Sequence, residues 1–445
     1  MKRGNTIKYA VYTAVASKAT SSLVQLIALP LAARVLGREE FGIYSTITIA
    51  LFTITLLQFG VGPSLTRLIA SASAKKRRSA ERHIYQHGAI LVISLAVVFG
   101  GVLALLFNSM PIGVLFGANF AGWESTMRQA LWVGLALLTV EIMMWHTDAV
   151  RHGYLESYLV NGFSSIGNLL GALIIIFGLQ AVPTIPFLLI ATFAPNILVR
   201  LISTYFLWKK RSYLIAKTTY FRKKTFKRLA TDGFSFSATT DLVFLLEVTA
   251  CGILIARILG PGEVAIYQIF VSITAIFRRI LETVGAPFWT ASINAKENSD
   301  RDWMRKSTLR LYLFYGTMAV SAFAFLVGLG PWLVVLLYGS EFQLDRSLFA
   351  TQACFLTMLG WRDVNRYVLI GNGKLYATVP PVLQGLLLSL TLGVAGLLYA
   401  GMEWMFIGLA LGILLIPGWR LAREVFLEFR RDPSPSSQLM ATTTR

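Results

Sequence analysis

Apolar runs of roughly 18 residues or more recur from Tyr9 to the last turn before Arg420, separated by short polar breaks. Such runs suit a bilayer, because a helix rising about 1.5 Å per residue needs about 20 apolar residues to cross the ~30 Å hydrocarbon layer. No water satisfies the backbone there, so a spanning segment must be helical or belong to a closed barrel. Barrel strands would show short alternating segments, which these runs do not. The breaks place helices at 9–35, 41–69, 84–107, 128–150, 158–179, 186–208, 232–258, 264–292, 311–337, 347–370, 378–400 and 404–422. The predicted fold class is therefore an all-α integral membrane protein of about 12 transmembrane helices. The first run begins with Lys2, Arg3 and Lys8. It is too long for a signal-peptide core and ends in Arg-Val-Leu-Gly rather than a small-residue cleavage site, so it reads as a retained helix.

Charge is scarce and sorted. Asp, Glu, Lys and Arg make up 14% of the chain, where a soluble domain carries about 25%. The net charge of +19 would suit nucleic acid, but the basic residues sit in short segments between apolar runs, where they set topology. No nucleic-acid partner is expected. With an inner N-terminus, the inside segments hold Lys75, Lys76, Arg77, Arg78 and Arg82, then Lys209 to Arg228, then Lys296, Arg301, Arg305, Lys306 and Arg310. The outside connections hold little more than Arg38 and Arg346. Both termini are predicted to be cytoplasmic. Cys251 and Cys354 fall within predicted helices with no CxxC and no neighbouring His, which argues against a metal site or a structural disulfide. No catalytic residue, metal or cofactor is expected, and the short outer connections leave no room for a separate catalytic domain.

An internal repeat organises the chain. Ala33-Arg-Val-Leu-Gly-Arg-Glu-Glu-Phe-Gly-Ile-Tyr44 aligns with Ala256-Arg-Ile-Leu-Gly-Pro-Gly-Glu-Val-Ala-Ile-Tyr267, with identical Ala, Arg, Leu, Gly, Glu, Ile and Tyr at an offset of 223 residues. Both copies lie at the turn between the first and second helix of a six-helix half. The expected plan is two pseudo-symmetric six-helix lobes, 1–208 and 229–425, joined by a basic cytoplasmic linker at 209–228 and followed by a flexible cytoplasmic tail at 426–445. Repeats related by an axis along the membrane normal are a transporter architecture, with the substrate path between the halves.

The segment 33–44 resembles the signature after the first helix of bacterial polysaccharide flippases, the O-antigen and exopolysaccharide exporters of the multidrug/oligosaccharidyl-lipid/polysaccharide transporter superfamily. Phe59-Gly-Val-Gly-Pro-Ser-Leu-Thr-Arg67 resembles that family's glycine-rich second-helix end and its arginine, and Ile255 to Tyr267 resembles the seventh-helix turn. Length, span number and two-lobe plan resemble the family across the whole chain. The resemblance implies a flippase of the bacterial cytoplasmic (inner) membrane, not an enzyme. It would carry undecaprenyl-diphosphate-linked oligosaccharide to the outer leaflet by alternating access, for cell-surface polysaccharide such as the O-antigen of lipopolysaccharide or an exopolysaccharide. Its partners would be the lipid-linked oligosaccharide and the bilayer, with glycan polymerase and chain-length proteins as further candidates. Members often carry an acid near the Leu-Gly end of the seventh helix; here Glu247 lies further in and Cys251 is nearer.

Such a cargo needs cations at membrane depth, where charges are rare and usually face a cavity. Lys18 lies about 15 Å along the helix from Lys8, near mid-bilayer, and forms one polar stripe with Ser21, Ser22 and Gln25. The alternative is a lysine snorkelling to the interface. The repeat offset carries Lys18 onto Asp241, which lines the seventh helix with Ser237, Thr240 and Glu247. Lys18 and Asp241 could form a static pair, or Asp241 and Glu247 could couple movement to a proton or cation. Arg278, Arg279 and Glu282 interrupt the eighth helix, where Glu282 can neutralise one arginine and leave another for bidentate contact with the diphosphate. Arg362, Asp363 and Arg366 repeat the pattern on the tenth. Arg67 and Arg200 read either as substrate contacts or as snorkelling cations. His146 and Asp148, with Glu141, read as a solvated helix end in preference to a proton relay. Asp300-Arg-Asp302 has the spacing of a sugar-nucleotide metal motif, but in a short charged loop.

Two other functions compete. A multidrug or cation antiporter of the same superfamily would favour an acidic cavity, whereas the deep basic residues outnumber the acids here. A membrane glycosyltransferase or polymerase needs a long outer loop with carboxylates. The topology is testable with reporter fusions: those after Ser73, Thr218 and Asn298 should read inside and one after Gly37 outside. An inside signal at Gly37 would overturn it.

Overall fold

The computed structural model describes residues 12–13, 16–22, 24–56, 61–215, 226–227, 229, 242–297 and 300–430. The helices follow the expected order. Helix α1 comprises 16–22 and 24–36, and α2 comprises 38–56 and Val61–Ala74. They are followed by α3 (Arg78–Ser109), α4 (Glu124–Gly153), α5 (Ser157–Gly178), α6 (Ile185–Lys210), α7 (Leu242–Leu259) and α8 (Pro261–Glu297). The last four are α9 (Arg301–Tyr338), α10 (Arg346–Gly371), α11 (Leu375–Ala400) and α12 (Met402–Arg430). Among the described residues, nine helical segments are long and apolar enough to cross a membrane. The chain is a multi-pass membrane protein, and exposed Leu105, Phe177 and Val320, all more than 70% accessible, are the surface such a fold turns to lipid.

The internal repeat is also a conformational repeat. Gly37, at φ +78°, separates α1 from α2, and Gly260, at φ +96°, separates α7 from α8. These equivalent glycines occupy the left-handed region, where a Cβ is strained, so each copy specifies the same abrupt helix–turn–helix.

Contacts group the chain into two compact units, Met1–Ile276 with Pro331–Asp345, and Phe277–Gly330 with Arg346–Arg445. This is a division by contact, whereas the halves 1–208 and 229–425 are a division by repeat. In the first unit α4 and α6 are joined by buried polar bonds. Thr147 Oγ1 lies 2.9 Å from Thr204 Oγ1, and Arg151, 2% exposed, donates to Ser203 Oγ at 2.8 Å. Gly167 and Gly171 let α5 approach α6 at Asn196 and Ala191, so this small-residue pair serves packing inside the bundle. In the second unit α10 is the core, with every residue from Arg362 to Gly371 buried. Tyr312 of α9 donates to Asn365 at 2.7 Å, Trp361 donates to the Gly418 carbonyl at 3.0 Å, and Gly285 of α8 faces the Tyr367 ring. Gly408 and Gly412 of α12 meet the α11 backbone at Leu392 and Ser389.

The turn between α4 and α5 carries an ionic knot. Glu156, 5% exposed, accepts from Arg151 at 3.0 Å, Lys210 at 2.8 Å and Arg211 at 2.9 Å. The Arg211 guanidinium stacks 3.7 Å over Tyr154, whose hydroxyl donates to Glu81 at 2.7 Å. Tyr213 also donates to Glu81, and Gln86 bonds the Leu214 carbonyl at 3.0 Å, so the chain leaving α6 is pinned to α3. Burial opposes ionisation of Glu156, but hydrogen bonds from Arg211 and Lys210 prevail and hold its carboxyl below the usual 4.5. A carboxyl with a lowered folded pKa contributes stability that is full above about pH 4.5 and fades as pH falls below it. Glu156→Gln should therefore cost about 3 kcal/mol near neutral pH and flatten the acid limb of a thermal-stability profile in detergent. An unchanged acid limb would show that Glu156 does not control it.

A buried cation cluster as candidate functional site

Helix α8 brings Arg278 against α10, about 26 Å along the axis from the α8 start at Pro261. The Arg278 side chain is 10% exposed; its Nε lies 3.3 Å from Asp363 Oδ2, and its Nη2 lies 3.7 Å from Glu282 Oε1. Arg362 Nε approaches the other Asp363 oxygen at 3.5 Å, and Arg366, one turn further along α10, is 6% exposed. Three guanidinium groups thus share this part of the second unit with two carboxylates. The carboxylates differ: Asp363 is 3% exposed at its side chain and sealed among the arginines, whereas Glu282 is 42% exposed at the rim. Removing Asp363 would leave buried charge uncompensated, so it anchors the cluster. Glu282 can be exchanged for another anion at far lower cost. Arg279 is half-buried beside them.

The other predicted residues that the structure describes lie in the first unit. Lys18, Ser21, Ser22 and Gln25 are half-buried on α1, with Gln25 in a π-turn spanning Val24–Ala28. Counted back from the Gly37 turn, Lys18 lies about 28 Å along the helix. Arg67 is exposed on α2. Glu247 is buried in α7 at 2% exposure, near buried Cys251. Asp241, and with it the proposed pairing to Lys18, lies outside the described residues, as do Ser237, Thr240, most of the 209–228 linker and the tail from 431. Arg200 pairs with Glu141 and, at 3.0 Å, with Asp148, and sits 5.9 Å from the Trp145 ring.

That arrangement corrects the solvated helix end expected at Glu141, His146 and Asp148. Glu141 is 8% and His146 5% exposed, and His146 Nε2 lies 3.3 Å from the Tyr85 hydroxyl, which also accepts from Trp208 at 2.7 Å. The charges are covered by α3 and α6, which hydropathy along α4 alone cannot reveal. Asp300 is a helix cap, its Oδ1 accepting from the Trp303 amide at 3.0 Å, so the Asp-Arg-Asp spacing reflects the start of α9. Among the described residues no group of three His, Cys, Asp or Glu is placed to hold a metal. Asp363 and Arg366 were read only as a pattern beside Arg362. Their i, i+3 and i, i+4 spacing on the least apolar long helix was the signal that they share its buried face.

The structure is similar to a multidrug resistance MATE family transporter of the MOP superfamily in its inward-facing conformation, with TM-score 0.79, 16% identity, and coverage of 94% of this chain and 97% of that one. An outward-facing conformation of such a transporter matches with TM-score 0.67, 14% identity and 96% of each chain. A MOP superfamily transporter from Pyrococcus furiosus, described by the reverse polarity of its binding pocket, matches with TM-score 0.66, 14% identity and coverage of 96% and 94%. At such identities the likeness shows the fold. No curated protein matches the sequence. Residues 10–286 match the family described as Polysaccharide biosynthesis protein. With well over half its length matched, the chain belongs to the polysaccharide biosynthesis protein family.

Proposed function

We propose that this protein is a flippase for lipid-linked oligosaccharide, carrying an undecaprenyl-diphosphate-linked glycan from the inner to the outer leaflet of a bacterial cytoplasmic membrane, with both termini cytoplasmic. The family supports a role in polysaccharide synthesis, and the fold supports transport by alternating access. The cargo poses a specific physical problem: its polyprenyl tail can stay in the bilayer while its diphosphate and sugars cannot enter hydrocarbon unaided. The observation that carries the reading is the cluster of Arg278, Arg362 and Arg366 around Asp363, with Arg279 alongside and a half-exposed Glu282 at its rim. An incoming diphosphate would displace Glu282 and accept charge-assisted bonds from Arg278 and Arg279 while Asp363 keeps the arginines in place. Lys18, Gln25 and Arg67 are proposed as substrate-contacting residues of the first unit. Glu247 and Asp241 are the acids proposed to couple movement to a proton or cation. Arg200, engaged by Glu141 and Asp148, has the more structural part.

The competing reading is a multidrug or cation antiporter, and its support is the fold together with the two-acid, one-arginine group at Glu141, Asp148 and Arg200. The two separate by experiment. A charge-assisted contact to phosphate is worth about 1.5 to 3 kcal/mol, or roughly ten- to hundredfold in affinity. Arg279→Ala and Arg278→Gln, each with Asp363 retained to hold Arg362 and Arg366, should leave lipid-linked glycan on the inner leaflet at normal protein abundance. Arg278→Lys should retain partial export. Wild-type glycan export by the first two variants would remove the diphosphate site, and loss of drug tolerance alone would favour the antiporter.

A further inference from the structure

The turn repeat at 33–44 and 256–267 has a second, weaker companion. Leu115-Phe-Gly-Ala-Asn-Phe120 and Leu337-Tyr-Gly-Ser-Glu-Phe342 share Leu, Gly and Phe at an offset of 222 residues. They also share conformation. Gly117 has φ +112° and Gly339 φ +103°, each opens a 3-10 turn (Ala118–Trp123 and Ser340–Phe342), and each turn buries its phenylalanine completely, Phe120 and Phe342 both at 0% exposure.

The two loops are exchanged. The loop of the first sequence half packs on the repeat turn of the second: a Cβ built on Gly117 would come within 2.8 Å of the Arg257 carbonyl oxygen, and one on Gly260 within 3.0 Å of Asn119 Nδ2. The loop of the second half packs on the repeat turn of the first: Gly339 faces the Arg34 side chain at 3.7 Å, Gly37 faces Glu341 Oε2 at 3.7 Å, and Arg34 donates to the Leu336 carbonyl. Arg34 and Arg257 are equivalent in the 223-residue repeat, as are Gly37 and Gly260, so the pairs Gly117·Arg257 with Asn119·Gly260 and Gly339·Arg34 with Glu341·Gly37 are one contact made twice. All of these residues lie in the first compact unit. The seam between the two repeat turns runs through it. Arg38 Nη2 pairs with Glu263 Oε1 at 2.6 Å and its Nε donates to the Gly262 carbonyl at 3.2 Å; Gly42 abuts the Pro261 backbone; and Gly252 of α7 faces Ile49 of α2. Phe41 lies edge-on to Tyr338 and Phe342, at 6.4 and 6.5 Å between centroids.

We infer that this reciprocal pair of loop-on-turn contacts is a two-point clasp at the extracytoplasmic end of the molecule, closing the α2–α7 seam and released as one step in the transport cycle. The inference rests on the transport reading for the existence of a cycle, but not on the identity of the cargo. Its physical basis is symmetry and weakness together. Each half holds the other through an equivalent contact, so parting the seam must break both. The bonds that link the turns are short-range and partly exposed, with Arg38 and Glu263 side chains 33% and 36% accessible, so each opposes opening only weakly. Ordinary structural staples in this molecule, such as Arg151 with Glu156, are by contrast almost fully buried.

The clasp can be read with a single cysteine beneath it. Thr46 lies on α2 four residues beyond Gly42 and three before Ile49, on the seam face, and is 1% exposed. With Cys251 and Cys354 replaced by Ser, Thr46→Cys in the full chain would be titrated in right-side-out vesicles with a membrane-impermeant maleimide added outside. Asn119→Ala, Glu341→Ala and Arg38→Glu should each raise the labelling rate about two- to fivefold. The Asn119/Glu341 double variant should approach the product of the singles, because both contacts break in the same opening. Arg38→Glu combined with Glu263→Arg should return the rate to that of the parent, which guards against loss of folding as the cause. A rate indifferent to both loops, or to one of them, a double variant no faster than the faster single, or labelling only from the cytoplasmic side would overturn the clasp. Labelling needs no lipid-linked glycan, so this result is independent of whether that glycan is the cargo.

Discussion

A charged group cannot be left bare in hydrocarbon, and that constraint explains why α10 lies where it does. Arg362, Asp363 and Arg366 make it the least suitable long helix for contact with lipid, and its residues from Arg362 onward are all buried. Helices α8, α9, α11 and α12 surround it in the second unit, and the outward faces of α9 and α11 carry the apolar load, as at Val320 and Leu387. Within that shelter Asp363 orders the arginines by direct pairing, Tyr312 holds Asn365, and Trp361 ties α10 to the π-turn of α12 at Gly418. The polar cluster is thus a consequence of the packing and also the reason for it.

The same constraint acts differently in the first unit. Arg200, Glu141 and Asp148 neutralise one another between α4 and α6, and Arg151 and Glu156 do so at the end of α4. These pairs read as construction: each arginine has its carboxylate partners at bonding distance and little water. At Glu282, by contrast, a carboxylate stands at the rim of an arginine cluster with nearly half its side chain exposed. A site meant to bind and release an anion requires that difference between a fixed counter-ion and an exchangeable one.

The helices were legible in the sequence because the bilayer imposes a length and a polarity on them. Their ends were less so. α9 begins at Arg301 rather than 311, and α8 runs to Glu297 rather than 292, because charged residues beyond the membrane are good helix formers that hydropathy reads as breaks. The repeat at 33–44 and 256–267 was visible because its turn glycine and several flanking residues recur. Its companion at 115–120 and 337–342 was not, since only Leu, Gly and Phe survive and the shared property is a left-handed glycine followed by a 3-10 turn. Arg278, Arg279 and Arg362 stood out as charges inside apolar runs. That Arg200 is instead occupied by Glu141 and Asp148 depends on the approach of α6 to α4, a packing fact that no spacing within either helix contains.

The central claim is that a cationic cluster in a MOP-type fold moves a diphosphate-bearing lipid glycan between leaflets. The most direct measurement uses the purified full-length protein in vesicles of bacterial lipids containing a fluorescent undecaprenyl-diphosphate oligosaccharide, with a glycosidase added outside after the outer pool has been trimmed. The account predicts that glycan from the inner leaflet becomes cleavable at a rate that depends on the amount of protein and is slowed by excess unlabelled lipid-linked glycan. An inner-leaflet pool that stays as protected in vesicles holding intact protein as it does in protein-free vesicles would contradict it.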